Sequence, residues 1–268
     1  MVTGSGTNIG NHIAEKLLKN NYNVTCTYHK KYPKNLKKYK NSNILKINLD
    51  KKIKKNFNID TLIHCASATP EKYQNKYFNK INVWGFNNLL KKMQSKKLNK
   101  VILISSIAIY ENNKQKLINE KTNPKFDSEY ALSKIKQEKT LKNFKKQGLK
   151  KIILRLPSIL SKNSKVNFYC NAVINIKKGR KIFLFGKKKK INSIFYIDDL
   201  TKLILLLIKS KNKTLRQTYN VASTEPMKIL DVLKKIYKKL KKPRKIILIN
   251  KEQREYIIST KKLAQTKF

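Results

Sequence analysis

Short apolar runs alternate along this chain with longer stretches in which apolar residues recur every three or four positions. Runs of four to eight residues rich in Ile, Val, Leu and Tyr read as strands, and the longer periodic stretches read as amphipathic helices. The pattern predicts strands at Tyr22 to Tyr28, Asn43 to Ile47, Thr61 to Cys65, Val101 to Ser105 and Lys151 to Leu156. It predicts helices at Ile9 to Asn20, Tyr77 to Gln94, Ser128 to Gln147, Asp198 to Lys209 and Lys228 to Leu240. Such alternation argues for βα units, and so for a doubly wound α/β domain built on a predominantly parallel sheet. Pro157 marks a change of texture, after which elements are shorter and less regular, as expected of a small C-terminal lobe. Only Met1 to Thr3 precede the first glycine turn, so the opening strand is short and the recorded start is expected to lie a few residues late.

Length and composition narrow the picture. At 268 residues and 40% hydrophobic content the chain can bury a substantial core. The longest uninterrupted apolar stretch, Leu203 to Ile208, is far short of the roughly 18 residues of a membrane span. No charged segment followed by an apolar one opens the chain, so a secretory signal is not expected. The three cysteines, Cys26, Cys65 and Cys170, lack metal-ligand spacing, and reduced thiols are expected. A cytoplasmic protein without a bound metal follows.

The charge is extreme, with 63 Lys plus Arg against 15 Asp plus Glu and a net +48. Such a field attracts polyanions, which raises nucleic acid as a partner. Against that, the excess is almost wholly lysine, whereas phosphate and base readout favour the planar guanidinium. The lysines are also spread along the whole chain, and heavy use of Asn and Ile with little Gly is what an AT-rich genome produces. Compositional drift is therefore preferred to a specific nucleic-acid surface, and Lys187 to Lys190 read as a solvated turn.

Three groups of residues carry chemistry. Gly4, Gly6 and Gly10, with Thr7, Asn8 and Ile9 between them, stand between a strand and an amphipathic helix. That setting suits a dinucleotide: the backbone approaches a pyrophosphate while the helix N-terminus supplies amides and a positive dipole end. Some 20 residues on, an acid usually binds the ribose diol of NAD. Here His29, Lys30 and Lys31 follow Tyr28 and no acid appears before Asp50, so NADP is slightly favoured over NAD. The third group is Tyr130 and Lys134, four positions apart and so on one helix face, behind the pair Ser105-Ser106. A cation near a phenol lowers its pKa toward working pH and equips it to exchange a proton with an alcohol or carbonyl.

Set in order, these fragments resemble the extended short-chain dehydrogenase/reductases, the NAD-dependent epimerase/dehydratase group. Asp60 to Ser67 is similar to the family's fourth strand and the turn beside the cofactor. Asn82 to Leu90 matches its following helix, and Ser105 to Tyr110 the strand end whose catalytic serine lies four residues before a tyrosine, which selects Ser106. Ile153 to Pro157, Phe195 to Leu200 and Tyr219 to Ser223 continue the series. The resemblance implies a Rossmann-type sheet over residues 1–157, completed by about 192–223, with residues 158–191 and 224–268 forming the substrate lobe.

It implies too that Tyr130 exchanges a proton with a sugar oxygen, that Ser106 hydrogen-bonds that oxygen, and that Lys134 lowers the tyrosine pKa while holding the nicotinamide ribose. Asp50, Cys65, Ala66, Ser67, Asn82 and Pro157 are implied cofactor contacts. Ser158 and Asn192 occupy substrate positions where the family often carries an asparagine and a diphosphate-gripping arginine. Thr7 replaces the middle glycine of the family's turn, and Ile107 and Ala108 replace the acidic pair of the 4,6-dehydratases, so that dehydration is not expected. The expected function is an NAD(P)-dependent epimerase or oxidoreductase acting on a sugar, nucleotide-linked, with a homodimer as the family assembly. The alternatives are an NADPH-dependent keto-sugar or small-carbonyl reductase, and a non-catalytic dinucleotide-binding regulator with a polyanion-binding surface.

Overall fold

The computed structural model describes residues 1–93, 97–162, 164, 168–185, 190–210, 217–250 and 256–266. β1 (Val2–Thr3) turns into α1 (Asn8–Lys19), followed by β2 (Val24–Tyr28), β3 (Ser42–Lys46) and β4 (Thr61–His64). A long helical stretch comprises α2 (Lys76–Phe78), a π-helical segment (Asn79–Gly85) and α3 (Phe86–Lys91). β5 (Lys100–Ser106), a 3-10 turn (Ile107–Tyr110), β6 (Leu117–Ile118), α4 (Glu129–Asn143), β7 (Lys150–Leu156) and β8 (Ser158–Leu160) come next. The remainder holds α5 (Phe168–Lys177), β9 (Ile182–Phe185), β10 (Lys190–Ile191), β11 (Ile194–Tyr196), α6 (Ile197–Lys209) and β12 (Thr218–Asn220). It ends with β13 (Met227–Lys228), α7 (Ile229–Lys239), β14 (Ile246–Ile249), β15 (Ile257–Ile258) and α8 (Lys261–Ala264).

A seven-stranded sheet runs β12-β7-β5-β4-β1-β2-β3, with every neighbouring pair parallel. The winding direction reverses between β1 and β4, which opens a crevice at their carboxyl ends. Both faces are covered, so the central strands are apolar throughout and alternate residues feed opposite cores. Ile63, Ile102, Ile152 and Leu154 pack with Ile13 and Leu17 of α1 and Leu200, Leu203 and Leu207 of α6. Leu62, Val101, Leu103 and Ile153 pack with Phe86, Leu89 and Leu90 of α3 and Leu141 of α4. A separate cluster joins Tyr169 and Ile176 of α5, Ile182 and Leu184 of β9, and Leu233 and Tyr237 of α7.

The predicted strands and helices form, with ends displaced for local reasons. Tyr22 is not yet in β2, because Asn21 adopts a left-handed conformation (φ 61°) and the Tyr22 amide closes onto Leu17 O at 3.1 Å. Asparagine tolerates that conformation, so the residues after α1 terminate the helix instead of starting the strand. α4 stops at Asn143 because Phe144 turns extended and packs into the core. The predicted helix Tyr77–Gln94 is interrupted by the π segment and ends at Lys91, and Gln94 lies outside the described residues, as do Gly186 and Lys187 to Lys189. Among the described residues no helix is long and apolar enough to cross a membrane.

Candidate active site

The glycine turn is built by close backbone approach. Gly4 has φ +69°, and a Cβ there would meet Ala66 N at 2.9 Å; one on Gly10 would meet Gly4 O at 2.3 Å. Those glycines therefore let α1 start directly against β1 and the end of β4. Thr7 stands where the resemblance expects glycine, and its role is a cap: Oγ1 donates to Gly4 O at 2.7 Å and accepts from Gly10 N at 3.4 Å. With Thr7 serving Gly10, the amides of Asn8 and Ile9 sit at the helix mouth, where an anion would complement them. Asn8 itself donates Nδ2 to Ser161 Oγ at 2.6 Å, tying the turn to the segment after β8.

Thr3 organises the wall opposite. Its Oγ1 accepts from the amides of Cys65 and Ala66, each at 3.1 Å, and lies 3.0 Å from Nδ1 of His64. With two donors already on it, the hydroxyl gives its own proton to Nδ1, so the imidazole proton sits on Nε2. His64 stays neutral, its pKa pulled down to about 3 by burial and by the nearby Lys134. Burial pushes the Cys65 thiol up to about 12. An inert thiol follows.

Ser106 and Tyr130 come together at the carboxyl end of the sheet. Ser106 ends β5 and accepts from Ala108 N at 3.1 Å, and its hydroxyl lies near enough to the Tyr130 phenol to lower the phenol's pKa. Tyr130 is in the first turn of α4, whose N-cap is Ser128, and its ring packs edge-on against Phe78 at 5.8 Å. Burial is the largest influence on the phenol and, with Glu71 adding to it against the neighbouring Ser106 hydroxyl, raises its pKa to about 12. Lys134 is 2% exposed, and its Nζ donates to Ile104 O at 2.8 Å and to Gln137 Oε1 at 2.6 Å. Burial pulls its pKa down to about 8, opposed by Glu138 and Cys65. The expected lowering of the tyrosine by the lysine is therefore not what this structure has. Four-residue spacing puts both on one face, but the ammonium is drawn to a carbonyl and an amide deeper in the core.

Beneath this group lies a charge-paired polar network. Ser105 donates to Glu138 Oε1 at 2.6 Å, and Arg155 donates Nε to Oε1 at 3.0 Å and Nη2 to Oε2 at 2.7 Å. Arg155 also donates to the Tyr110 hydroxyl, which in turn donates to Asn119 O at 3.2 Å. These contacts fix β5, α4 and β7 to one another directly under Ser106 and Tyr130.

The other expected contacts divide. Asp50, just past β3, carries a buried Oδ1 with no hydrogen-bond partner, which a ligand donor would satisfy. His29 and Lys30 lie at the end of β2, and Lys30 Nζ stands 5.4 Å from the Tyr73 ring across the crevice. Pro157 is buried and Ser158 exposed at the start of β8. Two expected contacts are corrected. Asn82 is fully buried, accepting from Ser67 Oγ and Ala68 N and donating to Ala68 O and Ser133 Oγ, so it braces the turn after β4 against α4 and has no contact left to give. Asn192 is 1% exposed and spends its amide on Ser223 O and Ile258 O and N. An arginine would reach out from there, whereas the shorter asparagine turns inward to clamp backbone. Sequence reasoning missed Thr3, Glu138 and Gln137; of these Gln137 and Glu138 had a readable signal, three and four residues beyond Lys134 on the same helix face.

A doubly wound sheet with a capped glycine turn at its switch point, and a tyrosine beside a serine at the strand ends, defines a dinucleotide-dependent enzyme. The chain belongs to the NAD-dependent epimerase/dehydratase family, whose model matches residues 1–222. A Methanocaldococcus jannaschii protein provisionally named UDP-glucose 4-epimerase is 26% identical over 231 residues, 80% of this chain and 74% of that one. Among solved structures, the UDP-glucuronic acid 4-epimerase of Bacillus cereus in complex with NAD superposes with a TM-score of 0.81 at 20% identity, covering 98% of this chain and 88% of the other. The UDP-glucose 4-epimerase of Thermotoga maritima with UDP-glucose gives 0.79 at 18% identity, covering 98% and 90%. At these identities the structural likeness is one of fold.

Proposed function

We propose that this enzyme epimerises a nucleotide-linked sugar, with Ser106, Tyr130 and Lys134 as its working group. The observation that carries the reading is the approach of the Ser106 hydroxyl to the Tyr130 phenol at the carboxyl end of the sheet, near enough to lower the phenol's pKa. The relatives act on, or are solved with, UDP-sugars, and the residues here fit the same dinucleotide: the mouth of α1 for the pyrophosphate, and the orphaned Asp50 oxygen for a donor on the adenine. A bound nicotinamide would supply the chemistry of taking a hydride from a sugar carbon and returning it. The protein's task is to move the proton and align the reacting atoms. Ser106 holds the sugar oxygen at the Tyr130 hydroxyl. Tyr130 takes the proton of that oxygen as the carbonyl forms and gives it back as the alcohol is restored. A phenol near 12 is almost wholly protonated at neutral pH and cannot accept a proton, so positive charge must approach it in the loaded site.

Two finer points belong to the same reading. Lys30 and Lys31 offer cations where a ribose 2′-phosphate would lie, which supports NADP and, with it, the second reading of a reductase that exchanges its cofactor each turnover. The groove between the π segment and α4, about 730 Å³ and lined by Trp84, Val83 and Phe144, is the surface on which a second copy would pair. Light scattering tests the pairing, with a Trp84→Glu monomer as the expected result. A panel of UDP-sugars and keto-sugars with both cofactors tests the chemistry. An epimerase yields the 4-epimer and keeps its coenzyme through gel filtration, whereas net NADPH consumption selects the reductase. Salt-dependent DNA binding with no turnover on any sugar would favour the non-catalytic regulator.

A further inference from the structure

Gln137 lies three residues beyond Lys134 on α4 and is completely buried. Its Oε1 receives Lys134 Nζ at 2.6 Å, while its Nε2 is buried with no partner. A buried amide ordinarily satisfies both ends, so an empty Nε2 is a cost that the other end must offset. An ammonium has three donors and no acceptor, so the amide can meet it only through its oxygen. The second acceptor on Nζ is the Ile104 carbonyl of β5 at 2.8 Å. Lys134 is thus held between the sheet and its own helix, while the Tyr130 hydroxyl lies beside Ser106.

We propose that Gln137 is a positioning residue that fixes the Lys134 ammonium against the Ile104 carbonyl and keeps it charged in the buried interior. The inference rests on the reading of Lys134 as part of the working group. The ionisable groups around Lys134 are His64 and Cys65 at the end of β4, Tyr130 and Glu138 of α4, and Arg155 of β7, which is paired to Glu138. Of these, Glu138 favours the charged lysine, while Cys65 and His64 are neutral across the working range. Burial holds Lys134 near 8, so a lost oxygen acceptor shifts its titration into the neutral range.

The test compares wild type with Gln137→Leu and Gln137→Glu. The basic limb of kcat/KM, set by Lys134, moves down by about one pH unit in the leucine variant and up in the glutamate variant. Melting of the cofactor-free protein from pH 6 to 10 gives a reading independent of turnover. Lys134 titrates lower in the folded chain than in the unfolded one, so its burial costs least where it is neutral. The melting deficit of Gln137→Leu is therefore largest below pH 7 and shrinks above pH 9. A deficit that stays flat across that range overturns the proposal, whatever the rates do. Full activity in Tyr130→Phe would instead overturn the catalytic reading and leave the melting comparison to judge Gln137.

Discussion

Ser105 and Ser106 are neighbours on one strand and serve different ends. Alternation along β5 sends Ser105 into the network of Glu138, Arg155 and Tyr110, and sends Ser106 to the crevice and Tyr130. In the first network every charge is paired: Glu138 takes Arg155 at both oxygens and Ser105 besides. In the second, groups are held away from their ordinary ionisation, with Tyr130 raised to about 12 and Lys134 lowered to about 8. Unpartnered buried atoms lie beside it: His64 Nε2 and Gln137 Nε2. Saturated polar groups rigidify, whereas frustrated ones are prepared to act, and one strand delivers a residue to each.

The largest expected effect separates the two at once. Tyr130→Phe removes a proton donor from the open group and should cost a factor of about 10²–10⁴ in kcat, with melting and coenzyme retention close to wild type. Loss of fold in that variant would mean that Tyr130 also belongs to the framework. Arg155→Met is the counterpart. It leaves Glu138 buried without its cation and should cost about 3–5 kcal/mol of stability in denaturant unfolding. If only the rate fell, the lower network would be part of the chemistry after all.

The sheet was largely legible because period-2 and period-3.6 patterns survive heavy lysine substitution on exposed faces, as in α1 and α6. The glycine turn was legible from its strand-to-helix setting, whereas Ser106 and Tyr130 were singled out by the family resemblance, and the fold brings them to the carboxyl end of the sheet. Asn82 and Asn192 were not, because residue type names a hydrogen-bonding capacity and only the fold says where it is spent. The direction of Lys134 was equally hidden, since helical spacing fixes a face but not which acceptors a long side chain finds there. The C-terminal lobe was read least well. α5 is apolar almost all round, and the parallel pairing of β9 with β14 joins segments some sixty residues apart.

Asn192 and Ser105 sharpen the same contrast at smaller scale. Asn192→Ala deprives Ser223 O and the Ile258 backbone of their partners and should cost about 2 kcal/mol, with substrate KM little changed. A tenfold rise in KM at full stability would return the residue to the substrate. Ser105→Ala is the finest probe. Glu138 keeps both contacts from Arg155, so only one hydrogen bond to a charged group is lost, worth about 1.5 kcal/mol in denaturant unfolding, and kcat should stay within about twofold. Ser106→Ala, one residue further, should show the reverse, with stability nearly unchanged and kcat down at least tenfold, because its hydroxyl aligns the reacting oxygen. Equal effects from the two serines would erase the division that strand alternation draws between them.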